Sequence, residues 1–281
     1  MTIKIAVIQF PAANCDLDAI HVLNNVVNLE ADLVWHNHFK EKDYDGVILP
    51  GGFSFGDYLR AGIIAAHSPA IEQARVMLKD GRPILGICNG FQILTEAEFL
   101  PGALLKNDSL KFICKWVNLR VENASTAFTN QLKIGDVIDI PIAHGEGRYF
   151  TDNYKELEEN DQIVFRYSNP KGETTKESNP NGSMENIAGV KNLEGNCVGL
   201  MPHPERASEE ILSPNNTNHG KMIFDSMPKA DLKSMSLDRA RRLFPQVKDK
   251  LKRKKDHNRA EALLLAEYCR RFRYGGTGDL S

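Results

Sequence analysis

The sequence predicts an α/β fold built on a doubly wound, mostly parallel sheet, with a short helical extension at its C-terminus. Three observations carry this. Apolar runs of strand length recur at Lys4–Phe10, Gly46–Leu49 and Ile84–Ile87. Segments with helical spacing lie between them, at Leu17–Val27 and Pro69–Leu78. Strands alternating with helices build a parallel sheet, and after Met227 the composition changes abruptly.

The elements follow in order. The start, Met1-Thr2-Ile3-Lys4-Ile5-Ala6-Val7-Ile8, reads as a first strand rather than a signal peptide, because its apolar run is short and polar residues soon follow. Ser68 is a good N-cap for the helix from Pro69, and proline suits the first helical position. From Asn107 to Ser183 the pattern turns to alternation, as in Trp116-Val117-Asn118-Leu119-Arg120-Val121, which predicts antiparallel strands beside the parallel ones. Asp152–Asp161 and Asn169–Gly182 are polar and rich in turn residues, and read as surface loops.

The 281 residues are enough for one sizeable domain plus an extension. With 42% hydrophobic and 26% charged residues, the composition is that of a soluble globular protein. No apolar run approaches the roughly 20 residues that a membrane span needs. Five cysteines, at 15, 88, 114, 197 and 269, are odd in number and lack metal-ligand spacing. This points to a reducing, cytoplasmic setting and away from a disulfide or zinc framework.

The chemistry concentrates at two places. In Gly86-Ile87-Cys88-Asn89-Gly90-Phe91-Gln92 a strand runs into a helix, which puts Cys88 on the sharp turn between them. Small flanking glycines tolerate the turn, and a helix N-terminus favours the anionic, nucleophilic form of a thiol. In Pro202-His203-Pro204-Glu205 a histidine follows the apolar run Val198–Met201. Two residues apart in an extended segment, His203 and Glu205 can face the same way. Glu205 then orients the imidazole as a base for Cys88. Cys88, Gly51 and His203 all fall at predicted carboxyl ends of strands, where such sheets bind ligands. His144-Gly145-Glu146-Gly147-Arg148 is a second His/Glu cluster. His203 is preferred as the base because it ends a strand with Glu205 beside it.

These two motifs resemble the triad of class I glutamine amidotransferases, a flavodoxin-like family. Further segments are similar to one branch, the separate-chain glutaminase subunit of phosphoribosylformylglycinamidine synthase. They are Phe10-Pro11-Ala12-Ala13-Asn14-Cys15-Asp16, Pro50–Gly62, Cys114-Lys115-Trp116-Val117, Ala143–Tyr149 and Asn179-Pro180-Asn181-Gly182-Ser183. The resemblance spans about residues 2–227. It departs from the branch at Pro11-Ala12-Ala13, where Gly-Ser is commoner before Asn14, and at Lys115, where arginine is frequent. It implies a catalytic triad of Cys88, His203 and Glu205. It implies an oxyanion loop at Gly51, Gly52 and Phe53 with Asn89 N–H as second donor, and substrate contacts from Gln92 and Glu96, the latter suited to the α-ammonium of glutamine. Cys15, Cys114 and Cys197 are expected to be dispensable for chemistry. No metal or cofactor is expected on this chain. ATP and Mg²⁺ would belong to the large synthase subunit, which with a small accessory subunit is the expected partner in purine biosynthesis.

Residues 228–281 are a separate matter. They carry 15 Lys/Arg and 7 Asp/Glu, net +8, whereas residues 1–227 carry 20 and 30, net −10. Such asymmetry marks a boundary and hints at an acidic partner. One helix is expected to open at Ser236 and a second to run from Lys252 to Tyr268. The second is similar to the last motif of RuvC-type Holliday-junction resolvases, with Asp256 and Glu261 at corresponding acids. The sheet that would carry the family's remaining metal ligands is absent, so nuclease activity is not expected. A fusion relic is favoured over a nonspecific nucleic-acid-binding helix. Two other functions fit parts of the chain: a DNA-associated protein using the basic tail, and a cysteine hydrolase of related fold acting on peptides.

Overall fold

The computed structural model of the chain describes residues 3–227. The expected boundary at 227/228, the tail helices, and Asp256 and Glu261 lie outside the described residues.

The strands are β1 (Lys4–Gln9), β2 (Glu30–Trp35), β3 (Gly46–Leu49), β4 (Ile84–Ile87), β5 (Ala103–Leu105), β6 (Ile113–Val121), β7 (Val137–His144), β8 (Arg148–Phe150), β9 (Ile163–Ser168), β10 (Ile187–Lys191) and β11 (Cys197–Leu200). Nine of them form one sheet in the order β2-β1-β3-β4-β11-β10-β9-β6-β7, and β5 pairs with β8 in a small ribbon. From β2 to β11 every pairing is parallel. From β11 to β7 every pairing is antiparallel. Burial follows position in the sheet, central strands against edges. β3, β4 and β11 are buried along their whole length, whereas β7 alternates residue by residue.

The helices are α1 (Asp16–His21), α2 (Ile63–Ala66), α3 (Pro69–Lys79), α4 (Asn89–Glu96), α5 (Tyr154–Glu159) and α6 (Lys221–Ser226). α3 keeps the expected start, with Ser68 extended at the N-cap and Pro69 leading the helix. The helix expected over Leu17–Val27 is α only to His21 and continues as a π-helical turn over Val22–Val26. β2, from Glu30, has few uniformly apolar positions and shows a mixed burial pattern, so its sequence carries no strand-like run. The segment read as a loop at Asp152–Asp161 contains α5, which buries Leu157 against the domain. A single apolar anchor in a charged helix leaves almost no periodic signal.

α4 packs on β3, β4 and β11. The approach is so close that a Cβ on Gly90 would run into the Leu49 carbonyl, and one on Gly199 into the Phe91 ring. Backbone cannot yield as a flexible side chain can. Gly90→Ala is therefore expected to lower unfolding free energy by about 3 kcal/mol or more. Urea denaturation followed by circular dichroism measures this, and an unchanged midpoint would contradict it.

Candidate active site

β4 ends at Ile87 and α4 begins at Asn89, so Cys88 makes the whole reversal by itself. Its backbone sits at φ 50, ψ −103, a region that a residue with a Cβ rarely adopts. Its neighbours hold it there. The Cys88 N–H donates to Leu200 O of β11 at 2.8 Å, and the Cys88 carbonyl accepts from Phe91 and Gln92 N–H at 3.0 and 3.1 Å. Gly86 lies too close to the Gly90 carbonyl to carry a Cβ. The thiol is buried and donates to Ala143 O of β7 at 3.7 Å.

His203 follows β11, and its N–H donates to Pro141 O at 2.8 Å. The segment after it is not extended. Pro204–Ala207 forms a 3₁₀ turn, for which the fixed φ of Pro204 suits the first position. The turn brings the Glu205 carboxylate back onto the same imidazole, with Oε1 2.6 Å from Nδ1. Both side chains are essentially sealed, at 2% and 0% exposure. His203 Nε2 makes no hydrogen bond of normal geometry and is the nitrogen left for Cys88. Catalytic contacts are often long until substrate binds. Burial alone would lower the His203 pKa. The charges of Glu205 and Cys88, with the sulfurs of Cys15 and Cys88 close to the ring as acceptors, outweigh burial and hold it well above the ordinary value.

The loop after β3 lies against the first loop of the chain. Gly52 has φ 141, and a Cβ there would meet Ala13 Cα and Asn14 N at 2.8 Å. Phe53 N–H donates to Ala12 O at 3.2 Å, so in this arrangement it points at the first loop. Asn89 N–H opens α4 and has no acceptor within the helix. The Asn89 side chain acts as a staple. Its Oδ1 accepts from Ser54 N–H at 3.1 Å, and its Nδ2 donates to Gln92 Oε1 at 2.9 Å and Asp57 Oδ1 at 3.4 Å. Gln92 passes the connection on, donating from Nε2 to Glu146 O at 2.7 Å. Glu96 is ion-paired with Arg60. Asp57 is raised to about 6 by burial and by the Glu146 charge.

The second His/Glu cluster is built differently from the first. His144 is buried, and its ring nitrogens are within hydrogen-bond distance of Asn107 Oδ1 (3.0 Å) and Asn181 Nδ2 (3.4 Å) rather than a carboxylate. Burial, then the charge of His203, lowers its pKa to about 4, so it stays neutral near pH 7. It anchors the loop that Gln92 holds at the site. The side chains of Asn89, Asn107 and Asn181 carry this scaffold, and nothing in their spacing announces it. Cys15 is a larger surprise. Its sulfur lies beside the His203 imidazole, and its neighbour Asn14 gives no sequence cue to that position.

Cys15, His203 and Glu205 offer three ligand atoms within 4.8 Å of one another, the group that could hold a metal ion among the described residues. Arg206 Nη2, however, donates to Cys15 Sγ at 3.0 Å. A fixed cation there opposes a second one. A cleft of about 410 Å³ opens beside the pair, lined in part by His203, Glu205, Arg206, Trp116 and Ala143. No helix among the described residues is long and apolar enough to cross a membrane.

The geometry can be compared with known proteins. Residues 2–230 match the family of the CobB/CobQ-like glutamine amidotransferase domain. The phosphoribosylformylglycinamidine synthase subunit PurQ of Methanosarcina acetivorans is 53% identical over 226 residues, covering 80% of this chain and 96% of the relative. The corresponding subunit of Aquifex aeolicus is 51% identical, covering 80% of this chain and 98% of the relative. Among solved structures, PurLQS from Thermotoga maritima aligns with TM-score 0.72 and 45% identity, covering 82% of this chain and 99% of the matched chain.

The buried ion pair has a direct test. Burial opposes the charged imidazole and Glu205 is the largest influence favouring it. Glu205→Gln removes that charge, so His203 must titrate at lower pH than in the unmodified chain. An NMR titration of the His203 ring reads this, and a titration unmoved by the substitution would refute the assignment.

Proposed function

The chain belongs to the CobB/CobQ-like glutamine amidotransferase family, and from that membership we propose that it is the glutaminase subunit of phosphoribosylformylglycinamidine synthase. It hydrolyses glutamine to glutamate and hands ammonia to a synthase subunit in purine biosynthesis. The single observation that carries the reading is the elbow at Cys88 facing a sealed His203–Glu205 pair, with a glycine loop and a helix N-terminus beside it.

Each group has a role in the reaction. The Cys88 sulfur attacks the side-chain amide carbon of glutamine. The oxyanion that forms is held by N–H groups of the Gly51–Phe53 loop and by Asn89 N–H. His203 gives its proton to the departing ammonia, and Glu205 keeps the imidazole oriented and favours its charged form. Water, activated by the same imidazole, then cleaves the γ-glutamyl thioester and frees Cys88. Gln92 and Glu96 border the substrate. The Arg60–Glu96 pair presents one charge of each sign, the complement of the zwitterionic end of an amino acid. ATP and Mg²⁺ are used by the large synthase subunit, which this chain joins together with a small accessory subunit. The setting is cytoplasmic.

Phe53 N–H is occupied by Ala12 O, so the loop must turn before that donor can meet an oxyanion. Docking of the synthase is the event we assign to this turn. Glutaminase turnover is therefore expected to be low for the chain alone and to rise about tenfold or more with the synthase and its ligands. Cys88→Ala is expected to abolish turnover in both settings. Equal rates with and without the partner would exclude the gating, and residual full activity in Cys88→Ala would exclude the triad.

We also assign the glutaminase to residues 1–227 alone. The PurQ relatives are covered almost entirely by 226 aligned residues. Deleting residues 228–281 is expected to leave glutaminase rate and thermal midpoint nearly unchanged. The intact chain is not expected to cut four-way DNA junctions with Mg²⁺. Junction cleavage that is lost in Glu261→Gln would overturn the assignment.

A further inference from the structure

Cys15 has no part in the reaction as derived so far, yet it sits in the middle of the machinery. It is 2% exposed. Its sulfur, a ring nitrogen of His203 and a carboxylate oxygen of Glu205 all lie within 4.8 Å of one another. A Cβ placed on Gly51 would touch both partners at once, 3.1 Å from Cys15 Sγ and 2.6 Å from His203 Cε1. The Cys15 N–H also donates to Gly51 O at 3.3 Å. One residue therefore contacts the base and is tied to the loop that must hold the oxyanion. Arg206 Nη2 fixes the sulfur from the other side at 3.0 Å, and Arg206 Nε reaches Asp18 at 3.4 Å.

We propose that Cys15 is a positioning residue of the glutaminase reaction, whose thiol, held by Arg206, seats the His203–Glu205 pair against the Gly51 loop. This rests on the glutaminase reading of Cys88. The choice of a thiol has a physical reason. A carboxylate in its place would compete with Glu205 for the imidazolium. Burial instead keeps the Cys15 thiol pKa raised, so it adds no negative charge while still accepting from Arg206. The groups bearing on His203 are then Cys88 from the elbow, Cys15 from the first loop, Glu205 from its own turn and neutral His144 from β7. Of these, Cys15 is a neutral group whose S–H is given to Asn14 Oδ1 at 3.2 Å, which leaves the sulfur beside the ring as an acceptor that favours the imidazolium.

The test is steady-state glutaminase kinetics against pH on the full chain assembled with its synthase. Cys15→Ala is expected to lower kcat about tenfold, the scale of a misplaced catalytic group, with KM for glutamine changed less than about twofold. The alkaline limb of the kcat profile, where the imidazolium is lost, moves to lower pH. Cys15→Ser, which hydrogen-bonds and stays neutral, restores most of both. Cys15→Val, which restores bulk but cannot hydrogen-bond, behaves like Cys15→Ala. Full activity in Cys15→Val would reduce Cys15 to packing and overturn the proposal. An unmoved alkaline limb in Cys15→Ala would also overturn it, as would loss of kcat and KM together. A parallel Cys88→Ala sample separates this inference from the reading beneath it, because retained activity there fails the triad and leaves Cys15 without a reaction to position.

Discussion

One strained residue governs the architecture of the site. Cys88 is held in a backbone conformation that costs on the order of 1–3 kcal/mol, and everything around it is arranged to keep it there. The cost is met by packing that excludes side chains. α4 lies against β3, β4 and β11 through Gly86, Gly90 and Gly199, each at a point where a Cβ would collide with its neighbours. The bond from Cys88 N–H to Leu200 O fixes the elbow to the strand that delivers His203 three residues later. Cys88 and His203 are thus placed by the contact between two parallel strands, and their separation follows from sheet register.

The loops follow from topology. The parallel half has the order β2-β1-β3-β4-β11, so the chain leaves β1 and β3 in opposite directions along the sheet. A crevice opens between the carboxyl ends of those strands, as in other doubly wound sheets. Phe10–Cys15 and Gly51–Ser54 fill it. They are laced together by Cys15 N–H to Gly51 O, Phe53 N–H to Ala12 O and Phe55 N–H to Pro11 O. The Gly51–Ser54 loop is therefore part of a two-loop unit with Phe10–Cys15. On the opposite flank, Asn89 and Gln92 tie α4 to the Glu146 loop.

Much of this was legible in the residues. The buried strands at Gly46–Leu49 and Ile84–Ile87 and the helix from Pro69 appear where apolar runs and a proline start predict them. The glycines around Cys88 signal a close approach that only backbone can make. β2 is not legible because an edge strand with exposed residues on both faces has no uniform apolar run. The geometry of His203 and Glu205 was misread in detail. Spacing two residues apart suits both an extended segment and a tight turn, and only Pro204 tips it toward the turn. The side-chain contacts of Cys15 and the three asparagines are not legible, for a common reason. Their partners lie far away along the chain, and a short polar side chain carries no periodic signature of what it will meet.

The position of β11 has a consequence for how the chain reaches its native state. This strand comes last among those of the described residues yet occupies the middle of the sheet, between β4 and β10. Until residue 200 has left the ribosome, the hydrogen-bonding edge of β4 lies open, with a fully apolar surface on either side. Such an edge is a template for pairing with other chains. The contacts that close it span more than a hundred residues and form late. The whole stretch between β4 and β11 must therefore be made before that edge can be covered, and the same insertion that buries the edge supplies the Leu200 carbonyl that holds the elbow at Cys88.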